Sequence, residues 1–218
     1  MSRSCGKGRR CWAGSAPALD HTRAVQANRL LASQLNAVNH ELHELVGWMK
    51  PDDWLRRSVP GTSLPAFTFW HIPRVIDSTV NMGIRGVPEL ITSQPWAARP
   101  WARPEGGVGY SAEEADQLAA EVVPAELLDY ADAVRSQVSQ WLKTVTDDEL
   151  AAPNALMDHA REAPAYVRPE VQEAIAPLVG QPVWLVLSIT CYAHCWAHLE
   201  EIKLLASVGR AEVGKHET

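Results

Sequence analysis

Residues 182–209 read PVWLVLSITCYAHCWAHLEEIKLLASVG. The stretch is apolar on nearly every side as far as Glu200, and this pattern predicts a helix that is largely buried. Pro182 stands where proline is favoured in a first turn, and Gly209 stands where glycine is favoured just past a helix end. We therefore predict one long helix from residue 182 to about residue 208.

Two histidines, His194 and His198, lie four residues apart in this helix. Side chains with this spacing leave the same face of a helix, so both imidazoles can reach one metal ion. The alternative is a pair of buried or interface histidines that hydrogen-bond to their neighbours. Cys191 precedes His194 by three residues, which predicts the same face. It is either a fourth ligand or a reactive thiolate near the metal, or a small buried apolar side chain.

The rest of the chain also favours helices. Apolar residues recur at spacings of three and four, and Ser111 with Glu114 forms a capping-box pattern that predicts the start of a short helix. No run of alternating β-branched residues and no Asn-Gly or Asp-Gly hairpin signal occurs. The other predicted helices cover about residues 21–49, 65–82, 124–145 and, as a short helix, 170–178. Four long helices with extended connections predict an all-α bundle.

The protein has 218 residues, a net charge of −6 at pH 7 and a pI near 5.7. That length suits a single domain, which we place at residues 17–210 between flexible tails at 1–16 and 211–218. No Lys/Arg cluster occurs beyond the first ten residues, which argues against a nucleic-acid partner. No apolar run approaches the roughly 20 residues of a membrane span, so no membrane partner is expected. A homodimer is left open.

The four cysteines lie in two pairs, Cys5 with Cys11 and Cys191 with Cys195. The pair in the last helix is poorly spaced for a disulfide, and the set does not resemble the framework of a secreted protein. No apolar segment follows the basic N-terminus, so no secretory signal is expected. We therefore expect a cytoplasmic protein with reduced thiols.

A third metal ligand is expected from another helix, because three ligands on one helix would strain the coordination geometry. His71 is the best candidate, since it lies near the start of the second predicted helix in the apolar stretch FTFWHIPRVID. Three neutral imidazoles leave a coordination position open, as in catalytic metal sites. Asp77, later in this helix, either accepts a hydrogen bond from a ligand imidazole or faces solvent.

Other histidines are weaker candidates. His40 and His43 lie in HELHEL, a charged stretch that we interpret as a solvent-facing side of the first helix, although their spacing also suits a metal. His159 falls in an irregular segment. A carboxylate-bridged di-iron centre would need Glu-x-x-His on two helices, and that pattern does not occur in the sequence.

These histidines resemble the pattern of the DinB superfamily, whose members are four-helix bundles with one histidine near the start of helix two and a His-xxx-His pair in helix four. The resemblance covers about residues 20–208. Many members have Gln three residues after the last histidine, where this chain has Glu201. The matching pieces are Trp70-His71 and His194-Cys-Trp-Ala-His198-Leu-Glu-Glu201-Ile202.

The string His-xxx-His-x-Glu, which ends at Glu200, is also similar to the iron-binding helix of ergothioneine sulfoxide synthases. Those enzymes need a second catalytic domain, for which we expect no room in this chain.

The DinB resemblance implies a metal-dependent enzyme that acts on a small molecule, because characterised members include transferases and isomerases that use mycothiol, bacillithiol or glutathione. It implies a divalent ion (zinc, nickel or iron) held by His71, His194 and His198, which activates the thiol as thiolate. The nine Trp against two Phe are typical of high-GC coding and favour mycothiol. A metal-hydroxide hydrolase of the same fold and a non-catalytic metal- or ligand-binding bundle are the alternatives.

Two further features are expected around the metal. If helices two and four are antiparallel, the metal lies toward the carboxyl end of the last helix. Glu201, one turn past His198, is then an acceptor for its imidazole or a general base, or else it faces solvent. Residues 86–110 fit no element and are expected to cover the site, with Trp96 and Trp101 lining a pocket for substrate or thiol. The alternative is an ordered surface loop held by Trp packing.

Overall fold

Four long helical stretches of the computed structural model pack as a bundle. The structure describes residues 26–166 and 168–216. In chain order the helices are α1 (Ala27–Trp48), α2 (Pro65–Asp77), α3 (Ala112–Glu121), α4 (Pro124–Leu142), α5 (Asp147–Ala151), α6 (Leu156–Glu162), α7 (Pro169–Ile175), α8 (Val183–Val186) and α9 (Cys195–His216). Helices α1 and α2 each pack against both α4 and α9, and the main core lies between these four. The described residues form no β-strand, which confirms the predicted all-α bundle.

Two of the long helices change their hydrogen-bonding pattern part-way along. A first π segment, Ser78–Ile84, continues α2, and a second π segment, Leu187–His194, joins α8 to α9. In a π segment each backbone N–H pairs with the carbonyl five residues back instead of four, which widens the helix and rotates the side chains relative to an α-helix. The two π segments pack against each other. Such segments are uncommon and are frequently found at functional sites.

The predicted capping box opens α3. The Ser111 side chain accepts a hydrogen bond from the Glu114 N–H, and the Glu114 carboxylate accepts one from the Ser111 N–H. A second capping box, formed by Thr146 and Glu149, opens α5. We predicted neither α5 nor α6, because each is too short to carry several turns of apolar periodicity.

The last helix continues beyond its predicted end near residue 208, as far as His216. Gly209 lies inside it and does not terminate it. A side chain at Gly209 would collide with Ser58 and crowd Arg56, so the glycine allows the 56–58 segment to approach the helix closely. The helix thus extends into the stretch predicted as a tail.

The other limits of the predicted domain stay predictions. Residues 1–25, with the predicted tail at 1–16 and the start of the first predicted helix, lie outside the described residues. None of the helices in the described part of the chain is both long enough and apolar enough to cross a membrane.

A buried ion cluster joins α2 to the segment that follows it. Arg74 is fully buried and donates hydrogen bonds to Asp77 (3.0 Å), to the Tyr130 hydroxyl (2.7 Å) and to the Glu89 carboxylate. It also donates to the backbone carbonyl of Pro104 (2.7 Å). A buried guanidinium needs such partners, because the loss of its hydration would otherwise cost several kcal/mol. The cluster therefore holds both ends of the 86–110 segment against α2.

Asp77 is the second anion of this cluster. Its carboxylate accepts hydrogen bonds from the Tyr130 hydroxyl (2.5 Å) and from the backbone N–H groups of Leu90 (3.0 Å) and Ile91 (3.1 Å). The residue is fully buried and pairs with Arg74. It therefore neither orients a histidine nor faces solvent, which were the two roles that the sequence left open.

We expect Asp77→Ala to lower the free energy of unfolding by about 3–5 kcal/mol, because it leaves the Arg74 guanidinium buried with one anion fewer. Urea unfolding followed by circular dichroism measures the loss. The matched control is Asp158→Ala, since Asp158 pairs with Arg161 only across 3.9 Å on an exposed surface. Its expected loss is below about 1 kcal/mol. Equal losses for the two variants would contradict the structural importance of the cluster.

Candidate metal centre

Three histidines from two helices meet between α2 and the last helix. His71 lies in the second turn of α2, His194 ends the second π segment, and His198 lies in the first turn of α9. One ring nitrogen of each histidine lies within 4.8 Å of those of the other two. The Nε2 atoms of His71 and His194 are 3.1 Å apart. The structure thus brings together the three residues that the sequence selected as metal ligands.

The two helices that carry the histidines are antiparallel. The first π segment, which follows His71 in the chain, packs against the second π segment, which precedes His198. Because α9 continues to His216, His198 lies near the middle of the last helical stretch. The sequence predicted a centre toward the carboxyl end of that helix. This prediction is wrong, because the centre lies near the middle of the helical stretch.

Hydrogen bonds orient two of the three imidazoles. His71 Nδ1 lies 2.6 Å from the Gly106 carbonyl oxygen, and His198 Nδ1 lies 2.8 Å from the Glu201 carboxylate. Since both partners are acceptors, each Nδ1 carries the proton and donates it. The unprotonated Nε2 of each ring is then the nitrogen that is available to a metal. Glu201 thus occupies the acceptor position, which is one of the roles that the sequence left open for it.

The environment keeps the histidines in the form that binds metals. Burial, together with the neighbouring His198, lowers the pKa of His71 to about 3. Burial and His198 also lower the pKa of His194. Both imidazoles are therefore neutral at pH 7, and only a neutral imidazole can donate its lone pair to a metal ion.

The donor set fits a divalent metal ion. Imidazole nitrogens bind zinc, nickel and iron well, and three protein ligands leave room in the coordination sphere for water or substrate. Within residues 26–166 and 168–216, no other His, Cys, Asp or Glu belongs to the group. The three histidines can therefore hold a metal ion in the open pattern of a catalytic site.

Two cavities reach the histidines from different sides. The larger, of about 380 Å³, contacts His71 and His194 and extends along the two π segments to α6 and α7. The smaller, of about 240 Å³, contacts His71, His198 and Glu201. Val108 lines both cavities, so the end of the 86–110 segment separates them. The centre thus lies between two spaces of small-molecule size.

A family model described as the DinB superfamily matches residues 34–174, which is more than half of the chain. The chain belongs to the DinB superfamily. The DinB match contains His71 and ends before His194 and His198, so it is the structure that joins the first histidine to the pair. A comparison with curated proteins finds no match. The DinB family and the three-histidine cluster together fit a metal-dependent enzyme.

Cys191 does not belong to the three-histidine centre. It is buried against α1 and α4, among residues such as Leu31 and Val138, and lines neither of the cavities next to the histidines. Burial raises the pKa of its thiol to about 12. The expectation of a common face with His194 assumed α-helical spacing, whereas the π segment places side chains three residues apart on different faces. The structure thus favours the alternative, a small buried side chain.

The two tryptophans of the 86–110 segment also lie away from the histidines. Trp101 is fully buried, and Trp96 and Trp101 both pack against Tyr130, with ring centroids 5.5 and 5.7 Å from it. Neither lines a cavity at the centre. The same segment nevertheless reaches the site through Gly106, Gly107 and Val108. Only residues 106–108 of the segment line the two cavities, and the packing of the tryptophans matches the alternative of an ordered loop held by Trp packing.

The role of Gly106 could not be predicted from the sequence, because a backbone carbonyl leaves no signature there. The two adjacent glycines were the available signal. Gly107 has a φ of +86°, and a Cβ there would come within 2.9 Å of Trp70 and 3.0 Å of Phe67. Only glycine allows the chain to approach α2 this closely, and the approach brings the Gly106 carbonyl to His71.

The remaining candidates have other partners. His43 contacts Asp132 at 3.2 Å, and His40 is exposed, as expected for a solvent-facing side of α1. His159 contacts the Gly83 carbonyl at 2.9 Å. Glu200, the carboxylate of the resemblance to the sulfoxide synthases, is exposed and accepts a hydrogen bond from Lys203 (2.9 Å). It does not belong to the three-histidine group.

We expect His71→Ala, His194→Ala and His198→Ala each to lose most of the bound metal, because two imidazoles remain where three are needed. Elemental analysis of the purified variants measures the metal-to-protein ratio, and circular dichroism checks that each variant folds. His40→Ala is the matched control, and its metal content should equal that of the parent. Retention of the metal in all three site variants would contradict the assignment.

Proposed function

We propose that this protein is a metal-dependent enzyme that joins a low-molecular-weight thiol of the mycothiol type to a small electrophile, as an S-transferase or as an isomerase that acts through such an adduct. The observation that carries this proposal is the position of the three histidines between two cavities. A transfer between two molecules needs two binding spaces that meet at the reacting atoms. The two cavities at His71 provide that arrangement.

The smaller cavity suits the thiol, because its lining is rich in hydrogen-bonding groups. Ser63, Thr68 and Glu201 contribute two hydroxyls and a carboxylate, and Gly107 contributes backbone. A sugar- or peptide-bearing thiol carries many polar groups that must exchange their bonds to water for bonds to protein. The larger cavity, which is mostly apolar, is then left for the electrophile.

The roles of the residues follow from their positions. His71, His194 and His198 hold the ion, which when bound lowers the pKa of a coordinated thiol or water toward neutrality. Glu201 keeps His198 in place through Oε2, and among the described residues none donates a hydrogen bond to its Oε1. That oxygen can therefore accept the thiol proton. The sulfur then supplies the electron pair of the new S–C bond, and the leaving group departs with the pair of the bond that breaks.

We expect the purified, zinc-loaded protein to accelerate the reaction of monochlorobimane with mycothiol, bacillithiol or glutathione. The fluorescence of the bimane adduct reports the rate, and the uncatalysed rate is subtracted. His194→Ala should abolish the enzymatic part. Consumption of an ester probe without any thiol would instead favour the metal-hydroxide hydrolase. Metal binding with neither activity would favour a non-catalytic bundle.

We expect Glu201→Gln to lower kcat roughly 100-fold while the metal content stays unchanged, since the amide still accepts the His198 hydrogen bond and no longer takes a proton. Elemental analysis and the bimane assay give the two readouts. Glu200→Gln is the control, because this neighbouring carboxylate is exposed and contacts Lys203. Activity of Glu201→Gln within twofold of the parent would eliminate the base role.

A further inference from the structure

The two walls of the larger cavity are formed by different parts of the chain. One wall consists of the two π segments of the long helices, and the other consists of α6, α7 and the turns that flank α7. The side chains that line the cavity are mostly aliphatic: Val75, Met82, Val108, Leu156, Ala160, Val171, Ala174, Ile175, Pro177, Leu178 and Ile189. The cavity thus offers an apolar surface over most of its length.

Three of the four hydroxyl side chains in this lining already have partners, and the fourth, Thr79, has no hydrogen-bond partner among the described residues. The Thr190 hydroxyl donates to the Val186 carbonyl (2.8 Å), and the Ser78 hydroxyl donates to the Val75 carbonyl (3.2 Å). The Tyr166 hydroxyl contacts the Glu89 carboxylate at 2.5 Å and the Pro104 carbonyl at 2.7 Å. The hydroxyls of Ser78, Tyr166 and Thr190 therefore have no hydrogen left to donate to a carboxylate of a ligand, and only that of Thr79 keeps one.

The lining also lacks a charged partner for a ligand. Apart from His71 and His194, none of the residues that line the cavity in the described part of the chain is ionisable near pH 7. Away from the ion that the histidines would hold, a carboxylate or an ammonium group that enters such a space loses its hydration without compensation, which costs several kcal/mol. The mouth is apolar as well, since Ala174, Pro177 and Ile189 are exposed at its edge.

We infer that the larger cavity binds the electrophilic substrate and selects an uncharged molecule with an apolar, aliphatic or aromatic body. This inference rests on the proposed function, because it assigns the second substrate of the transfer. The volume of about 380 Å³ lies at the lower end of the range for small-molecule sites, so the substrate is a compact molecule. Analogues that carry a carboxylate on the body are excluded by the cost of burying that charge.

Two compounds that differ only at a remote position test the selection. Methyl 4-methylcinnamate and methyl 4-carboxycinnamate have the same unsaturated ester and carry either a methyl group or a carboxylate on the ring. Titration calorimetry of the metal-free protein, without thiol, gives the two Kd values, because a bound zinc ion would offer the carboxylate a coordination position that the cavity lining itself does not. We expect the neutral compound to bind at least tenfold more tightly. A Kd of the carboxylate within threefold of that of the neutral compound would overturn the inference.

A charge placed at the mouth tests where the compounds bind. We expect Ile189→Arg to tighten the binding of the carboxylate at least fivefold, because the guanidinium supplies the missing partner. Leu204→Arg is the matched control, since Leu204 is 64% exposed on α9 and does not line the cavity. Its two Kd values should equal those of the parent. Identical affinities in Ile189→Arg and Leu204→Arg would overturn the assignment of this cavity.

The binding and transfer experiments fail separately. If the neutral compound binds as expected and no thiol is transferred, the proposed function is wrong while the selectivity of the cavity stands. If thiol transfer occurs and the carboxylate binds as tightly as the neutral compound, only the selectivity of the cavity is wrong.

Discussion

The buried guanidinium of Arg74 is the interaction on which the rest of this structure depends. It lies three residues after His71 on α2 and gathers Asp77, Glu89 and the Pro104 carbonyl around itself. A charge with no exposed surface must be compensated within the protein. Asp77 lies on α2 itself, whereas Glu89 and Pro104 come from the two ends of the 86–110 segment. This segment therefore follows α2 closely and brings Gly106 to His71.

The two π segments determine which side chains surround the histidines on the side of the larger cavity. They pack against each other next to the histidines and form one wall of the larger cavity. In an α-helix His194 and Cys191 would share a face, whereas the π geometry directs Cys191 to the core and places Ile189 and Thr190 beside His194 in the cavity. One altered hydrogen-bonding register thus decides which side chains meet the substrate and which fill the core.

Much of this arrangement could be predicted from the sequence. For each part that could not be predicted there is a physical reason. Long apolar periodicity identified the main helices, and the spacing of His194 and His198 with the apolar setting of His71 identified the centre. The π segments could not be predicted, because a shift from four to five residues between hydrogen-bonded groups has no clear sequence signal. The roles of Trp96 and Trp101 were misjudged, since a large aromatic ring fills a core as readily as it lines a pocket. The contact between Gly106 and His71 could not be predicted, because the atom involved is a backbone carbonyl oxygen.

The wall formed by α6 and α7 carries none of the three histidines, although it contacts the first π segment and, through the Tyr166 hydroxyl, Glu89. It has its own small apolar core of Ala160, Tyr166 and Val171, apart from the main core of the bundle. Substitutions in this wall can therefore reshape the space for the substrate while the helices that carry the ligands stay as they are. The helices that carry the metal ligands thus differ from those that form this wall. Substitutions at Ala174 or Ile175 are therefore expected to change which substrate binds while the metal centre stays intact.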